Sequence, residues 1–185
     1  MNKQKGFSTK MIAEAGMMIA LAKILSYAVL LKMPQGGSIT LGSMVPLIIF
    51  AIRWGWQKGM VVGAVYGVVD MLIGGYIAYP AQAILDYPLA YAMIGLAGLK
   101  ISLSSNENDL SNYLFGIILG HILRALSHVL SGVIFFGEFA PEGISPLKHS
   151  VSYNIAYMGP ELVISLLIVI LLWKPVMGAL KKANL

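Results

Sequence analysis

The chain has 185 residues, of which 58% are hydrophobic and 11% are charged. Soluble domains carry about 25% charged residues, so this composition excludes an ordinary water-soluble globule. The formal net charge is +5, and in so apolar a chain it bears on membrane topology, with no nucleic-acid partner expected. The sequence has no cysteine, which excludes disulfides, thiolate nucleophiles and cysteine-based zinc sites.

Apolar segments along the chain predict an all-α integral membrane protein with six spans, forming a single domain over residues 1–185. A spanning helix needs about 20 apolar residues. The segments fall at 9–31, 43–52, 59–73, 80–99, 110–136 and 150–173. The first is too long for the core of a signal peptide and is expected to be retained. Pro34 ends the first span, Pro88 is expected to kink the fourth, and Gly63 and Gly67 allow close helix contact in the third.

Lysine and arginine are distributed unequally between the two ends of the predicted spans. If the spans alternate in direction, nine lie at one end, namely Lys3, Lys5, Lys10, Arg53, Lys58, Lys100, Lys174, Lys181 and Lys182. Lys32 and Lys148 lie at the other end. Because cytoplasmic loops carry the excess of positive charge, both termini are predicted to be cytoplasmic. Trp54 and Trp56 are predicted to anchor the cation-rich end at the membrane interface.

Three predicted spans carry polar side chains on single helical stripes, and polar groups inside a membrane are candidate functional residues. The stripes are Gln82 and Asp86, then His121, Arg124 and His128, then Ser150, Asn154, Tyr157 and Glu161. Asp86, His128 and Asn154 lie at similar depth, so we expect them to line one cavity open to the outside. A carboxylate, an amide and nearby aromatic rings favour a flat heteroaromatic cation as ligand.

Some of these residues also have structural interpretations. Asp86 could pair with Arg124 and hold two helices together. His128 could be an interior histidine that is hydrogen-bonded without contacting a ligand. Asn154 and Tyr157 could join two helices through interhelical hydrogen bonds.

Enzymatic activity is not expected. Ser127 and Ser131 lie near a histidine, but the nucleophile-elbow sequence of hydrolases is missing. A phosphate-binding Gly-x-x-x-x-Gly-Lys sequence is missing too, so active transport would need ATP hydrolysis by another chain. Asp70 and Glu161 are deep enough to serve as proton sites in a stand-alone proton-coupled carrier, or as structural pairs. Lys23, within the first span, has no assigned role.

Several segments carry a more specific pattern when taken together. They are MPQGGSITLGSMVP at 33–46, AQAILDY at 81–87, HVLSGVIFF at 128–136, SYN at 152–154 and YMGPEL at 157–162. With these segments the chain resembles the thiamine-specific S components of energy-coupling factor (ECF) transporters, which are six-helix bacterial vitamin-capture proteins.

The resemblance implies a thiamine pocket near the outer face, built from the outer ends of spans four to six and capped by the loop after span one. The family's acidic position, often Glu, falls on Asp86, and two stacking positions fall on Tyr66 and Phe136. Gly37 and His149 stand where the family can have Trp and Tyr. The other substrate-binding positions fall on Tyr76, Tyr87, His128, Gly132, Tyr153 and Asn154.

The resemblance also implies docking on a transmembrane coupling subunit through small residues of the first helix, here Gly16 and Ala20. Their spacing alone equally fits packing within the bundle. Two ATPase subunits would complete an importer in the bacterial plasma membrane, with no cofactor in this chain. The predicted function is capture of thiamine outside the cell and delivery through an ATP-driven module. The alternative within the family is an S component for another vitamin or a thiamine precursor.

Overall fold

The structure, a computed structural model, describes residues 6–106 and 109–183. Its helices are α1 (Thr9–Ser26), α2 (Val45–Trp54), α3 (Trp56–Leu72), α4 (Pro80–Ile84), α5 (Ala90–Ile94), α6 (Ser111–Phe135) and α7 (Pro146–Ala183). A π-helical turn over Leu85–Leu89 joins α4 to α5, and a 3-10 turn over Gly95–Gly98 extends α5. The described residues therefore form six helical segments, and the mostly helical fold is confirmed.

Helix boundaries follow local chemistry. The Ser8 hydroxyl caps α1 by accepting a hydrogen bond from the Met11 backbone N–H at 3.2 Å. Gly55, at φ +90°, makes the tight turn between α2 and α3, a conformation that other residues seldom adopt. Pro88 lies in the π-helical turn, so the predicted irregularity of the fourth segment is confirmed.

The first predicted span, 9–31, was wrong at its C-terminal end. The helix stops at Ser26, and Val29–Lys32, three apolar residues followed by a lysine, form strand β1 of a hairpin whose second strand, β2, is Ser38–Thr40. The strands are antiparallel, with Leu31 opposite Ile39 and Lys32 opposite Ser38. A short apolar run fits a strand as well as a helix, so its length and hydropathy did not separate the two.

The last predicted span began too late. Helix α7 starts at Pro146, four residues before the predicted start, because proline is well suited to a helix's first turn. It continues past Pro160 and Pro175 to Ala183. Within the described chain, α6 and the Pro146–Ala179 part of α7 are long and apolar enough to cross a membrane, with mean hydropathies of 1.7 and 2.3.

One end of the bundle gathers the charged and indole side chains. The Glu14 carboxylate oxygen Oε2 lies 2.9 Å from Arg53 Nε and accepts a 2.8 Å hydrogen bond from Trp54 Nε1. The hairpin and the connections before α4 and α7 lie at the opposite end. The cations predicted for the charged end include some outside the described residues, namely Lys3, Lys5 and the side chains of Lys181 and Lys182.

Close backbone contact fixes α3 against the fourth segment. A Cβ atom at Gly63 would lie 2.3 Å from the Tyr91 carbonyl oxygen, and one at Gly67 would lie 2.4 Å from that of Tyr87. The predicted close approach at these glycines is therefore observed. It places the π-helical turn, which contains Asp86, directly against α3.

The apolar core lies between α1, α2, α3, α5 and α6, with Phe50, Ile94 and Ile117 almost fully buried. Many large apolar side chains also cover the outside of the helices, such as Leu72 and Leu171, which are 74% and 76% exposed. An apolar exterior of this extent marks a surface that contacts lipid or other proteins.

Candidate functional site

A cavity of about 670 Å³ lies between the hairpin and the inner faces of α1 and α3 to α7. This volume is within the usual range for small-molecule sites. Ten of the eleven predicted substrate-binding residues line it, namely Gly37, Tyr76, Asp86, Tyr87, His128, Gly132, Phe136, His149, Tyr153 and Asn154. The prediction that Asp86, His128 and Asn154 line one cavity agrees with this geometry. His121, on the same stripe of α6, is not in the lining, and its Nδ1 lies 2.9 Å from the Ile117 carbonyl oxygen of its own helix.

Tyr66 is the one predicted substrate-binding residue that does not line the cavity. Its side chain is fully buried, and its ring packs edge-on against Tyr91 with centroids 4.7 Å apart. Tyr91 itself lines the cavity. The structure therefore places Tyr66 against a lining residue and outside the lining itself, and its role as a stacking contact stays a prediction.

Asp86 is held by three side chains. Its Oδ1 lies 3.0 Å from His128 Nδ1, and its Oδ2 accepts hydrogen bonds from Gln82 Nε2 at 2.7 Å and Ser131 Oγ at 2.8 Å. Within the described chain, no lysine or arginine forms an ion pair with Asp86, so the alternative of a structural pair with Arg124 is not observed. The carboxylate charge is therefore available to a cationic ligand.

Aromatic rings form the walls beside Asp86. The Tyr76 and Phe136 rings lie 6.1 Å apart at an interplanar angle of 36°. The Tyr76 backbone N–H donates a 2.6 Å hydrogen bond to the Tyr87 hydroxyl, which fixes the loop that carries Tyr76. On the opposite side, the Tyr157 ring packs edge-on against His128, with centroids 6.5 Å apart. Flat aromatic faces beside a carboxylate suit a planar cation.

Gly132 allows α6 and α7 to approach at the cavity. A Cβ atom at Gly132 would lie 2.2 Å from Ser150 Oγ, a hydroxyl that donates a 3.0 Å hydrogen bond to the Val129 carbonyl oxygen. Asn154 Nδ2 donates to the Ser150 carbonyl oxygen at 2.9 Å, and its Oδ1 accepts from Tyr157 Oη at 2.8 Å. The absence of a side chain at Gly132 thus sets the position of Asn154.

The hairpin covers the cavity and is tied to α7. The Gly37 backbone N–H donates a 3.1 Å hydrogen bond to Tyr153 Oη, which itself donates to the Pro34 carbonyl oxygen. A Cβ atom at Gly37 would lie 2.9 Å from the Tyr157 ring. A tryptophan at this position would therefore collide with Tyr157, which explains physically why glycine occupies it.

The sequence analysis missed a second polar group in the cavity lining. Lys23 Nζ forms a 2.7 Å ion pair with Asp70 Oδ1, and Tyr91 Oη donates a 2.9 Å hydrogen bond to Asp70 Oδ2. All three residues line the cavity. The sequence did contain an indication of this pair, namely a lysine and an aspartate in two apolar helices, because opposite charges within one bundle favour pairing. Lys23, which had no assigned role, neutralises Asp70.

The two serines considered for hydrolysis have structural hydrogen bonds. Ser127 Oγ donates to the Leu85 carbonyl oxygen at 2.7 Å, and Ser131 Oγ donates to Asp86 at 2.8 Å. Both contacts tie α6 to the π-helical turn. The hydroxyls thus position the turn that holds the carboxylate.

Comparison with known proteins adds a family to this geometry. The model of the family described as "Thiamine transporter protein (Thia_YuaJ)" matches residues 12–180. The thiamine transporter ThiT of Bacillus subtilis (strain 168) is 36% identical over 172 residues, which cover 88% of this chain and 89% of that protein. ThiT of Lacticaseibacillus paracasei is 33% identical over 122 residues, or 60% of this chain and 61% of that protein.

A solved structure of ThiT from Listeria monocytogenes has a similar fold. Its TM-score against this chain is 0.79 at 27% sequence identity, over 92% of this chain and 97% of that one. The relatives are named as transporters, so the chain is a membrane transport protein and no enzyme. With a family match over most of its length and a relative more than one-third identical, the chain belongs to the thiamine transporter family Thia_YuaJ.

Proposed function

We propose that this protein is the thiamine-binding S component of an ECF-type importer, which captures thiamine at the outer face and passes it to an ATP-driven partner module. The observation that carries the proposal is the Asp86 carboxylate, fixed inside a cavity with aromatic walls. Thiamine combines a flat thiazolium cation with an aminopyrimidine ring. Charge pairing with Asp86 and stacking on neighbouring aromatic faces are the interactions that such a cation favours.

The proposed substrate contacts surround Asp86 within the single domain of the chain. Tyr76 and Phe136 supply ring faces, and His128 and Asn154 supply directed polar groups. Gly132 sets the spacing of α6 and α7. The remaining proposed contacts are Gly37, Tyr87, His149 and Tyr153, all in the lining of the same cavity.

The direction of capture follows from charge. The hairpin and the cavity mouth lie at the end of the bundle opposite to Glu14, Arg53 and Trp54. The end that holds Glu14, Arg53 and Trp54 is the one with the lysine and arginine excess, which the positive-inside rule assigns to the cytoplasm. The proposal therefore has both termini in the cytoplasm and the hairpin over an outward-facing cavity.

The outer face of α1 supports a docking role. Gly16 and Ala20 are exposed, whereas Met11, Ala15 and Ala22 on the other face are buried. A Cβ atom at Gly16 would have no described atom within 4 Å. Packing within the described bundle therefore does not account for these small residues, and a close contact with the coupling subunit does. ATP is used by the partner subunits in this proposal, and this chain needs no cofactor.

Reconstitution in lipid vesicles tests whether thiamine uptake depends on the ATP-driven partner subunits. The proposal expects no thiamine uptake by this chain alone, and uptake on addition of the coupling subunit, the two ATPase subunits and ATP. Uptake by the chain alone, driven by a proton gradient, would instead show a stand-alone carrier. A Walker-motif lysine substitution in the ATPase subunits is the matched control, because it removes ATP hydrolysis and leaves this chain unchanged.

A further inference from the structure

The cavity has two levels along its helices. Asp86, Tyr87, His128 and Asn154 occupy the upper level, near the hairpin. Tyr91 follows Tyr87 by four residues and Arg124 precedes His128 by four, which places each about 6 Å deeper at about 1.5 Å per residue. Glu161 follows Asn154 by seven residues, or about 10 Å. Tyr91, Arg124 and Glu161 thus form the floor, and all three line the cavity.

Arg124 on this floor has unused donors. Its side chain is 6% exposed, and its guanidinium lies 4.9 Å from the centre of the Tyr91 ring. Nε and Nη1 are buried and have no hydrogen-bond partner among residues 6–106 and 109–183. A buried, unpartnered polar group destabilises the structure, and more so when it is charged. These donors therefore favour binding of an acceptor from a ligand.

Glu161 has an unused acceptor on the same floor. Its side chain is 2% exposed. Oε1 accepts hydrogen bonds from the Thr40 backbone N–H at 2.5 Å and from Thr40 Oγ1 at 2.6 Å. Oε2 is buried and lacks a hydrogen-bond partner in the part of the chain that the structure describes. The Thr40 contacts hold the carboxylate in place, so Oε2 is a fixed acceptor.

A fixed donor and a fixed acceptor together select for a group that both accepts and donates. We infer that the floor formed by Arg124 and Glu161 is a specificity subsite for the ligand's terminal hydroxyl. The hydroxyl oxygen accepts from Arg124, and its proton is donated to Glu161 Oε2. This inference rests on the proposed function, since thiamine carries such a hydroxyl on its hydroxyethyl arm.

The two levels assign the rings and the arm to different places. The tilted Tyr76 and Phe136 rings and the Asp86 carboxylate lie on the upper level, where a planar cation is stabilised. On the floor, the face of Tyr91 lies against the Arg124 guanidinium. A narrow, flexible arm with a polar end therefore fits the floor, and the aromatic rings fit the upper level.

The test is a cycle of two ligands and two proteins. Thiamine and its deoxy analogue, in which hydrogen replaces the hydroxyl, are titrated by calorimetry into the purified wild-type protein and into Arg124→Met. The wild type is expected to prefer thiamine at least tenfold, and Arg124→Met less than threefold. Arg124→Gln is the second variant, in case Arg124→Met does not fold. Arg53→Lys, at the far end of the bundle, is the control and should keep the wild-type preference.

Each other result overturns part of the account. If wild type binds both ligands equally, or if the Arg124 variants keep a tenfold preference, the floor does not recognise the hydroxyl. If the variants lose discrimination against a 4-oxo pyrimidine analogue and keep the hydroxyl preference, the floor holds the pyrimidine ring instead. If folded wild type binds no thiamine at all, the proposed function fails together with this inference.

Discussion

The Asp86 carboxylate and the His128 imidazole meet at the cavity, with 3.0 Å between Asp86 Oδ1 and His128 Nδ1. Asp86 lies in the π-helical turn Leu85–Leu89, and π-helical turns are frequent at functional sites. Gln82 and Ser131 hold the second carboxylate oxygen. The carboxylate direction is thus fixed before a ligand arrives, which lowers the entropic cost of binding.

Removing the charge of Asp86 should weaken thiamine binding. Asp86→Asn is expected to raise the dissociation constant more than tenfold, or over about 1.4 kcal/mol, because the thiazolium loses its anionic partner. The fold should be retained, since the amide preserves the side-chain shape. Calorimetric titration measures the change, with Glu142→Gln in the exposed loop before α7 as the control. Unchanged affinity would make Asp86 a structural residue.

Adding a methyl group at Gly132 should displace the Ser150 hydroxyl and crowd the contact between α6 and α7. A Cβ atom there would lie 2.2 Å from Ser150 Oγ, so Gly132→Ala is expected to destabilise the protein by about 1–3 kcal/mol and to weaken binding. Thermal unfolding in detergent tests this. Gly178→Ala in α7 is the control, because a Cβ atom there has no described atom within 4 Å. Equal melting temperatures for both variants would contradict the close contact.

Breaking the Lys23–Asp70 ion pair should be costly. Lys23→Met leaves a mostly buried carboxylate without its cation, and removing one partner of a buried pair costs about 3–5 kcal/mol. The double variant Lys23→Met/Asp70→Asn should recover part of that loss. Thermal unfolding of the single and double variants gives the coupling free energy between Lys23 and Asp70. Strictly additive effects would show that the two side chains do not stabilise each other.

Bulky residues on the exposed face of α1 should block docking without affecting capture. Gly16→Leu and Ala20→Leu are expected to abolish co-purification with the coupling subunit, because they prevent close helix contact. Thiamine affinity should be unchanged. Ala156→Leu, at an exposed position of α7, is the control. Normal co-purification of both α1 variants would place the docking surface elsewhere.

Loosening the hairpin should speed ligand release. Tyr153→Phe removes the hydroxyl that accepts from the Gly37 N–H and donates to the Pro34 carbonyl oxygen. Two lost hydrogen bonds at about 1 kcal/mol each predict a dissociation rate raised by about tenfold or more. Stopped-flow fluorescence measures the rate, with Tyr113→Phe at the opposite end as the control. An unchanged rate would show that these bonds do not hold the hairpin closed.

Helical periodicity predicted much of the cavity lining, because spacing on a helix fixes which side chains share a face. His128 and Arg124 lie one turn apart on α6, and the structure places both in the cavity lining. The sequence also placed Asp86 in the cavity, with Gln82 one turn away on the same stripe. Its contacts with His128 and Ser131 could not be predicted, since they depend on how α6 packs against the π-helical turn.

The errors arose where the sequence pattern carries no distance information. Tyr66 and Tyr91 lie on different helices, and the sequence does not show which ring lies in front. Val29–Lys32 is a short, mostly apolar segment that fits a helix or a strand, so its pairing with Ser38–Thr40 appears only in three dimensions. The Lys23–Asp70 pair bridges two helices for the same reason.

The central claim is that this cavity binds thiamine, and a direct titration of the purified protein tests it. Tyrosine and tryptophan fluorescence is followed as thiamine is added, calorimetry gives the stoichiometry, and riboflavin and biotin are the controls. The account predicts saturable binding of one thiamine per chain and no response to either control. No thiamine binding by folded protein in both measurements would contradict the assignment of this cavity as a thiamine site.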